Sequence, residues 1–159
     1  MNETKISTPI KGAIGEFYVA SFLSALNLVV ALPRGGVPSS DLLVTTPGGN
    51  KTISLQVKTA LPFNFTKSKR DGHYWSWDVS IKVKENTSKS HWYAFVNLND
   101  WPEGDKQPDV FFVSAKNVAD VVTEWNDKPS TRLFFIIKEN EKERYKGMEG
   151  FEKIKFELT

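Results

Sequence analysis

Four polar residues in the first half of the chain are of the types that bind a divalent cation and activate water. They are Glu16, Asp41, Gln56 and Lys58. Carboxylate and amide oxygens, together with nearby main-chain carbonyls, form the oxygen-rich set that Mg²⁺ or Mn²⁺ prefers. A lysine beside such a set can orient or deprotonate a water molecule. The four residues together predict a site that hydrolyses phosphodiester bonds.

A predicted hairpin positions three of these residues. Two apolar runs flank a Pro-Gly-Gly-Asn turn, which predicts antiparallel strands over 41–46 and 51–58. Asp41 opens the first strand, whereas Gln56 and Lys58 close the second, so the ends that carry them lie side by side. Because polar and apolar residues alternate in the second strand, Gln56 and Lys58 point to the same face.

The fourth residue, Glu16, lies on a predicted helix over about 12–26. Glu16 is the only charged residue in the 21-residue interval from position 12 to position 32. Because this helix is apolar nearly all round, we expect it to be covered on most sides, with an interior strand over 28–32 beside it. A buried carboxylate is costly unless a positive charge meets it, and Lys58 or a metal ion can supply that charge.

Each of these residues also has a purely structural interpretation. Asp41 can cap a loop, Gln56 and Lys58 can be ordinary outward residues of an alternating strand, and Glu16 can form a salt bridge with Lys58. Each structural interpretation is favoured when its residue is taken alone. The joint pattern favours the site.

Composition narrows the classes of function. The chain has 159 residues, 40% of them hydrophobic, and a net charge of +2, which is typical of a packed globular protein rather than a uniformly basic or disordered one. No cysteine and only two histidines exclude thiol nucleophiles, zinc ribbons and His-rich metal clusters. Residues 1–91 carry a net charge of +5 and residues 92–159 one of −3, so a polyanion is expected to meet the first half.

The order of elements predicts a mixed α/β sandwich with a central mixed sheet flanked by helices. A second helix is expected after Ser114, which can cap it, and a last apolar strand over 133–137. We expect a single domain over 1–159 with a basic, aromatic insertion at about 61–91. The apolar stretch over 12–32 is broken by polar residues and Glu16, so neither a membrane span nor an export signal is expected, and the protein is expected to be cytoplasmic.

The insertion carries candidate nucleic-acid-binding residues, because cations bind phosphates and aromatic rings stack on unpaired bases. Trp75 and Trp77 are expected to fill a core or an interface. His73 and His91 are expected to be surface or loop residues rather than catalytic bases. The candidates for nucleic-acid binding are Arg34, Lys67, Lys69, Arg70, His73 and Lys82.

The order of these short motifs resembles the PD-(D/E)xK nuclease superfamily. Glu16 in KGAIGE resembles the helical acid, Asp41 in SSD the metal-bridging aspartate, and Lys58 in QVK the catalytic lysine. The resemblance implies a restriction endonuclease-like core, DNA as the substrate, Mg²⁺ (or Mn²⁺) as the cofactor, and the main-chain carbonyl of Val57 as a further metal ligand. Ser40 stands where the family has proline. Gln56 stands where it usually has an acid, which removes one negative charge and weakens metal affinity.

These expectations point to a magnesium-dependent DNA endonuclease. One site per chain cuts one strand, so cleavage of a duplex requires a homodimer or a targeting partner. One alternative is a catalytically silent nucleic-acid-binding or assembly module of the same fold, in which Gln56 marks the decay of the metal site. Another alternative is an aromatic-rich domain that binds protein or carbohydrate.

Overall fold

The computed structural model describes residues 6–34, 40–61, 65–69, 72–125 and 132–158. The α-helices are α1 (Thr8–Ala25), α2 (Ala115–Trp125) and α3 (Gly147–Leu158). Short 3₁₀ helices cover Ile81–Lys84 and Glu139–Arg144. The strands are β1 (Val29–Ala31), β2 (Leu42–Thr45), β3 (Thr52–Ala60), β4 (Phe65–Ser68), β5 (Gly72–Val79), β6 (His91–Asn97), β7 (Asp109–Ser114) and β8 (Leu133–Lys138).

The strands form two sheets. The larger sheet has the order β1-β2-β3-β6-β7, and the smaller has the order β4-β5-β8. The only parallel pair among the described strands is β3 with β6, from Ser54 opposite His91 to Ala60 opposite Asn97. The central sheet is therefore mixed, as the sequence predicts.

Two hydrophobic cores lie on opposite faces of the larger sheet. The first core joins α1 and α3 to the apolar side of β2 and β3, and the alternating residues Ile53, Leu55 and Val57 belong to it. The second core joins β6 and β7 to α2 and the smaller sheet. Helices thus cover both faces, which confirms the predicted mixed α/β architecture.

Three expectations about the first elements are wrong. Helix α1 begins at Thr8 rather than near residue 12, and it buries only one side, since Ile10 and Phe17 are 58% and 63% exposed. Strand β1 is not interior but lies at one edge of the larger sheet, and Val29 is 51% exposed. Apolar character alone does not imply burial, because folded proteins expose much apolar surface, and a three-residue strand provides little pattern to distinguish edge from centre.

The segment interpreted as an insertion contributes strands and core residues to the fold. Strand β5 pairs with β4 on one side and β8 on the other. The indole of Trp77 is only 2% exposed and donates a hydrogen bond to the Val96 carbonyl over 3.1 Å, so its expected place in a core is confirmed. No helix within the described ranges is long and apolar enough to cross a membrane.

Candidate active site

The start of β2 and the middle of β3 form the centre of the candidate site. The Asp41 amide donates a hydrogen bond to the Leu55 carbonyl over 2.8 Å, which continues the hairpin one residue before β2. The Val57 amide donates to Oδ2 of Asp41 over 2.7 Å. A side-chain oxygen therefore binds a main-chain donor of β3 at the point where β2 starts, and this bond holds the carboxylate beside β3.

Strand alternation places Gln56 and Lys58 on one face of β3. Val57, between them, is buried in the first core, whereas Gln56 and Lys58 are half-buried. Because Leu42 pairs with Leu55, Asp41 lies opposite Gln56 in the register. The structure thus brings Asp41, Gln56 and Lys58 to neighbouring positions, as expected from the sequence.

Glu16 reaches the same region through a close contact between α1 and β3. A Cβ atom at Gly15 would overlap the Thr59 hydroxyl oxygen, so the helix backbone lies directly against this strand. Burial raises the pKa of the Glu16 carboxyl, and the negative charge of Asp41 raises it further. The two carboxylates are therefore close enough to repel each other.

Lys58 forms no salt bridge with either of these two acids. No ion pair within 4.0 Å joins Lys58 to Glu16 or Asp41 among the residues that the structure describes. The structural interpretation of Glu16 as a salt-bridge partner of Lys58 is therefore wrong. Among the described residues no salt bridge neutralises Glu16 or Asp41, and two like charges in one region favour the binding of an added positive charge.

The donor set fits a hard divalent cation. Glu16 and Asp41 supply carboxylate oxygens, Gln56 supplies an amide oxygen, and the Val57 carbonyl is a further candidate ligand. The described residues contain no group of three or more His, Cys, Asp or Glu side chains suited to a metal ion. A cation at this place would therefore need the amide or a main-chain oxygen in addition to the two acids.

His91 is a residue of this region that sequence reasoning missed. It was expected on the surface or in a loop, but it begins β6 and is only 6% exposed. Its Nδ1 lies 2.7 Å from the Ser54 hydroxyl, and its buried Nε2 has no hydrogen-bond partner within the described chain. Burial lowers the pKa of His91, and the charge of Asp41 partly opposes this shift. The parallel pairing of β3 with β6 places it here, and no local sequence signal reveals that pairing.

The candidate nucleic-acid-binding residues do not form one cluster. Lys67 of β4 pairs in register with His73 of β5, and Lys69 follows β4 in the turn. His73 also contacts Glu139, with Nδ1 3.2 Å from Oε2. Lys82 lies beyond the other end of β5. At about 3.3 Å per residue, that end of the strand is roughly 20 Å from His73. Arg34 is exposed after β1, and Arg70 lies outside the described residues.

Comparison with known proteins supports the fold. No protein-family model and no curated protein matches the chain. The solved structure of a bacterial homing endonuclease, I-Ssp6803I, is similar over 94% of this chain and 93% of the other, with 16% sequence identity and a TM-score of 0.53. At this identity the similarity shows that the two chains share a fold.

Proposed function

We propose that the chain is a magnesium- or manganese-dependent endonuclease that hydrolyses phosphodiester bonds of DNA. The observation that carries this proposal is the Asp41 carboxylate, fixed by the Val57 amide beside Gln56 and Lys58 and close to Glu16. Support also comes from the order of the motifs, which resembles the PD-(D/E)xK nucleases, and from the fold shared with a homing endonuclease.

Each side chain has a distinct role in the proposed reaction. Asp41, Gln56 and Glu16 bind the cation, and the Val57 carbonyl completes the set. A bound divalent cation supplies charge that stabilises the phosphoryl oxygens in the transition state. Lys58 orients the attacking water or accepts its proton. The Val57 amide keeps the Asp41 carboxylate in place, which is the preorganisation that such catalysis needs.

The exposure of β3 supports access of a polymer to the proposed site. It lies on the part of the larger sheet formed by β2 and β3, where Leu43, Gln56 and Lys58 remain at least partly exposed. The second core covers the neighbouring strands β6 and β7. A backbone phosphate can therefore approach the polar face of β3 from solvent. Since one site cuts one strand, we also propose that cleavage of both strands needs a second copy or a partner.

The direct test is incubation of supercoiled plasmid with the purified chain and Mg²⁺. We expect nicked circles from the wild type, no detectable nicking by Asp41→Asn, and a loss of about 10²-fold to 10⁴-fold for Lys58→Ala, the range for a general acid or base. Matched controls are Asp105→Asn and Lys51→Ala, which change exposed residues of the same types. Equal nicking by all five proteins would mean a contaminating nuclease and would end the enzyme proposal.

The same plasmid experiment distinguishes the endonuclease from the alternative, a catalytically silent nucleic-acid-binding module. If the wild type binds DNA but produces no nicked circles with either Mg²⁺ or Mn²⁺, the loss of one acid at position 56 has abolished catalysis. A Gln56→Glu variant then restores the missing charge. Nicking by that variant alone would show a decayed metal site in an otherwise competent fold.

A further inference from the structure

A buried histidine nitrogen with no hydrogen-bond partner lies beside the proposed site. Nε2 of His91 is shielded from solvent and makes no hydrogen bond with any described residue. Buried polar atoms are nearly always satisfied in folded proteins, and an exception calls for an explanation. The ring cannot turn freely, because Nδ1 lies 2.7 Å from the Ser54 hydroxyl and its centre lies 5.0 Å from that of Tyr93 in an edge-to-face contact.

The contacts of Ser54 are compatible with a proton on Nδ1 of His91. The Ser54 hydroxyl has a single hydrogen and two acceptors within reach, Nδ1 of His91 at 2.7 Å and the Ser90 carbonyl at 3.5 Å. When this hydrogen is donated to the Ser90 carbonyl, the Ser54 oxygen accepts a hydrogen bond from Nδ1–H of His91. In the neutral ring this leaves a lone pair on Nε2, because one nitrogen is protonated and the other is an acceptor. In this tautomer the orphaned atom is a hydrogen-bond acceptor that lacks a donor.

The sheet register makes Gln56 a diagonal neighbour of His91. Ser54 pairs with His91, and Gln56 pairs with Tyr93 on the same two parallel strands. Ser54 and Gln56 share a face because they are two residues apart. Gln56 and His91 are thus diagonal neighbours, at a separation of about 7–8 Å that long side chains can bridge.

A glutamine ligand has a problem that a carboxylate does not have. Its oxygen binds a cation, whereas its NH₂ group, of nearly the same size, repels one. On the basis of the proposed function, we propose that His91 is a positioning residue whose Nε2 accepts a hydrogen bond from the Gln56 amide and so turns the amide oxygen toward the cation. This contact gives the orphaned nitrogen a donor and compensates for the missing acid at position 56.

The test is a double-mutant cycle read out as Mn²⁺ affinity by isothermal titration calorimetry on the full chain. We expect His91→Phe to weaken Mn²⁺ binding about 10-fold to 100-fold in the wild-type background, the usual effect of removing a residue that orients a metal ligand. In the Gln56→Glu background we expect a change of less than about threefold, because two equivalent oxygens need no such orientation. Tyr145→Phe, at a buried tyrosine of the second core that contacts neither residue, is the control and should leave affinity unchanged.

The outcomes separate the two proposals. Equal losses in both backgrounds would make His91 merely structural and would overturn the inference alone. An absence of Mn²⁺ binding in the wild type and in Gln56→Glu would overturn the proposed function and this inference together. Nitrogen chemical shifts of His91 in the metal-free wild type need no variant to fold: we expect the proton on Nδ1, and a proton on Nε2 would contradict the proposed contact.

Discussion

Glu16 is partly buried and lies within the electrostatic reach of Asp41, so the ionisation of its carboxyl is expected to lower the stability of the folded protein. The pKa of Glu16 is raised from 4.5 by burial and by Asp41. The folded protein therefore holds this proton more tightly than the unfolded chain does. Between the unfolded pKa and the raised folded pKa, the free energy of unfolding falls as pH rises, and the cost of the charge is fully present above the folded pKa.

We predict that Glu16→Gln stabilises the metal-free protein at pH 7, because it removes the charge that is costly there. The expected rise in melting temperature is about 1–3 °C for a chain of this size, and it should shrink as pH falls toward 4.5. Thermal melts in EDTA at several pH values measure it. Glu85→Gln, at an exposed position outside the site, should show no such pH-dependent gain, and a destabilised Glu16→Gln would contradict the repulsion.

The alternation of polar and apolar residues in β3 made the positions of some site residues predictable from the sequence. The common face of Gln56 and Lys58 follows from a period of two in β3, and the turn fixes Asp41 opposite them. The burial of His91 depends instead on the pairing of β3 with β6, whose partners are 37 residues apart. Nothing in the local composition around His91 specifies that long-range contact.

At the scale of elements, the approach of α1 to β3 determines where Glu16 lies. Gly15 permits this approach because a larger residue would overlap Thr59. The Thr59 hydroxyl oxygen is buried without a hydrogen-bond partner among the described residues. Close packing against the helix therefore costs the free energy of burying an unsatisfied hydroxyl. Glu16 follows Gly15 directly, and any displacement of the helix here displaces the acid.

We predict that Gly15→Ala destabilises the protein by about 1–3 kcal/mol, the usual range for overpacking a tight contact. Chemical denaturation measures this loss. Gly12→Ala is the matched control, because a Cβ there meets only Glu16 Oε1 at 4.0 Å, and alanine is the better helix former.

A second substitution tests whether the cost of Gly15→Ala comes from the contact with Thr59. Thr59→Ala removes the overlapping oxygen, so Gly15→Ala should cost less in that background than in the wild type. If Gly15→Ala costs the same with and without Thr59→Ala, the helix does not rest on this threonine.

The elements themselves were predicted unevenly. The hairpin and α2 lie at the positions that the turn residues and the helical spacing predict. The Asn117 amide donates a hydrogen bond to the hydroxyl of Ser114, the expected capping residue, over 3.3 Å. The edge position of β1 was not predictable, since it depends on which strand lies beyond it rather than on its own three residues. The C-terminal segment, for which the sequence analysis predicts no element, forms α3, whose buried side packs into the first core.

At the scale of the whole molecule, two cores share one central sheet. We propose on this basis that residues 1–159 form one domain. We also propose that the segment at about 61–91 extends this domain with the hairpin of β4 and β5, whose turn end is basic. Lys67 and Lys69 are both exposed there. Their charges lie in the more positive half of the sequence, where a polyanion is expected to bind.

We predict that Lys67→Ala and Lys69→Ala each weaken DNA binding and reduce the salt dependence of the binding constant by about one unit of slope, as expected for one lost phosphate contact. Titrations of fluorescent duplex DNA at several salt concentrations measure both quantities. Lys116→Ala removes the same charge from the exposed side of α2, where Lys116 pairs with Asp120 over 2.6 Å, and it should leave the slope unchanged. Identical slopes for all variants would exclude the hairpin from the DNA contact.

The convergence of Glu16, Asp41 and Gln56 on one divalent cation is tested most directly by calorimetric titration of the wild-type chain with Mn²⁺. We expect one bound cation per chain, no binding by Asp41→Asn, and unchanged binding by Asp105→Asn. Heats that are the same for all three proteins, or the absence of any binding, would show that these side chains do not form a metal site.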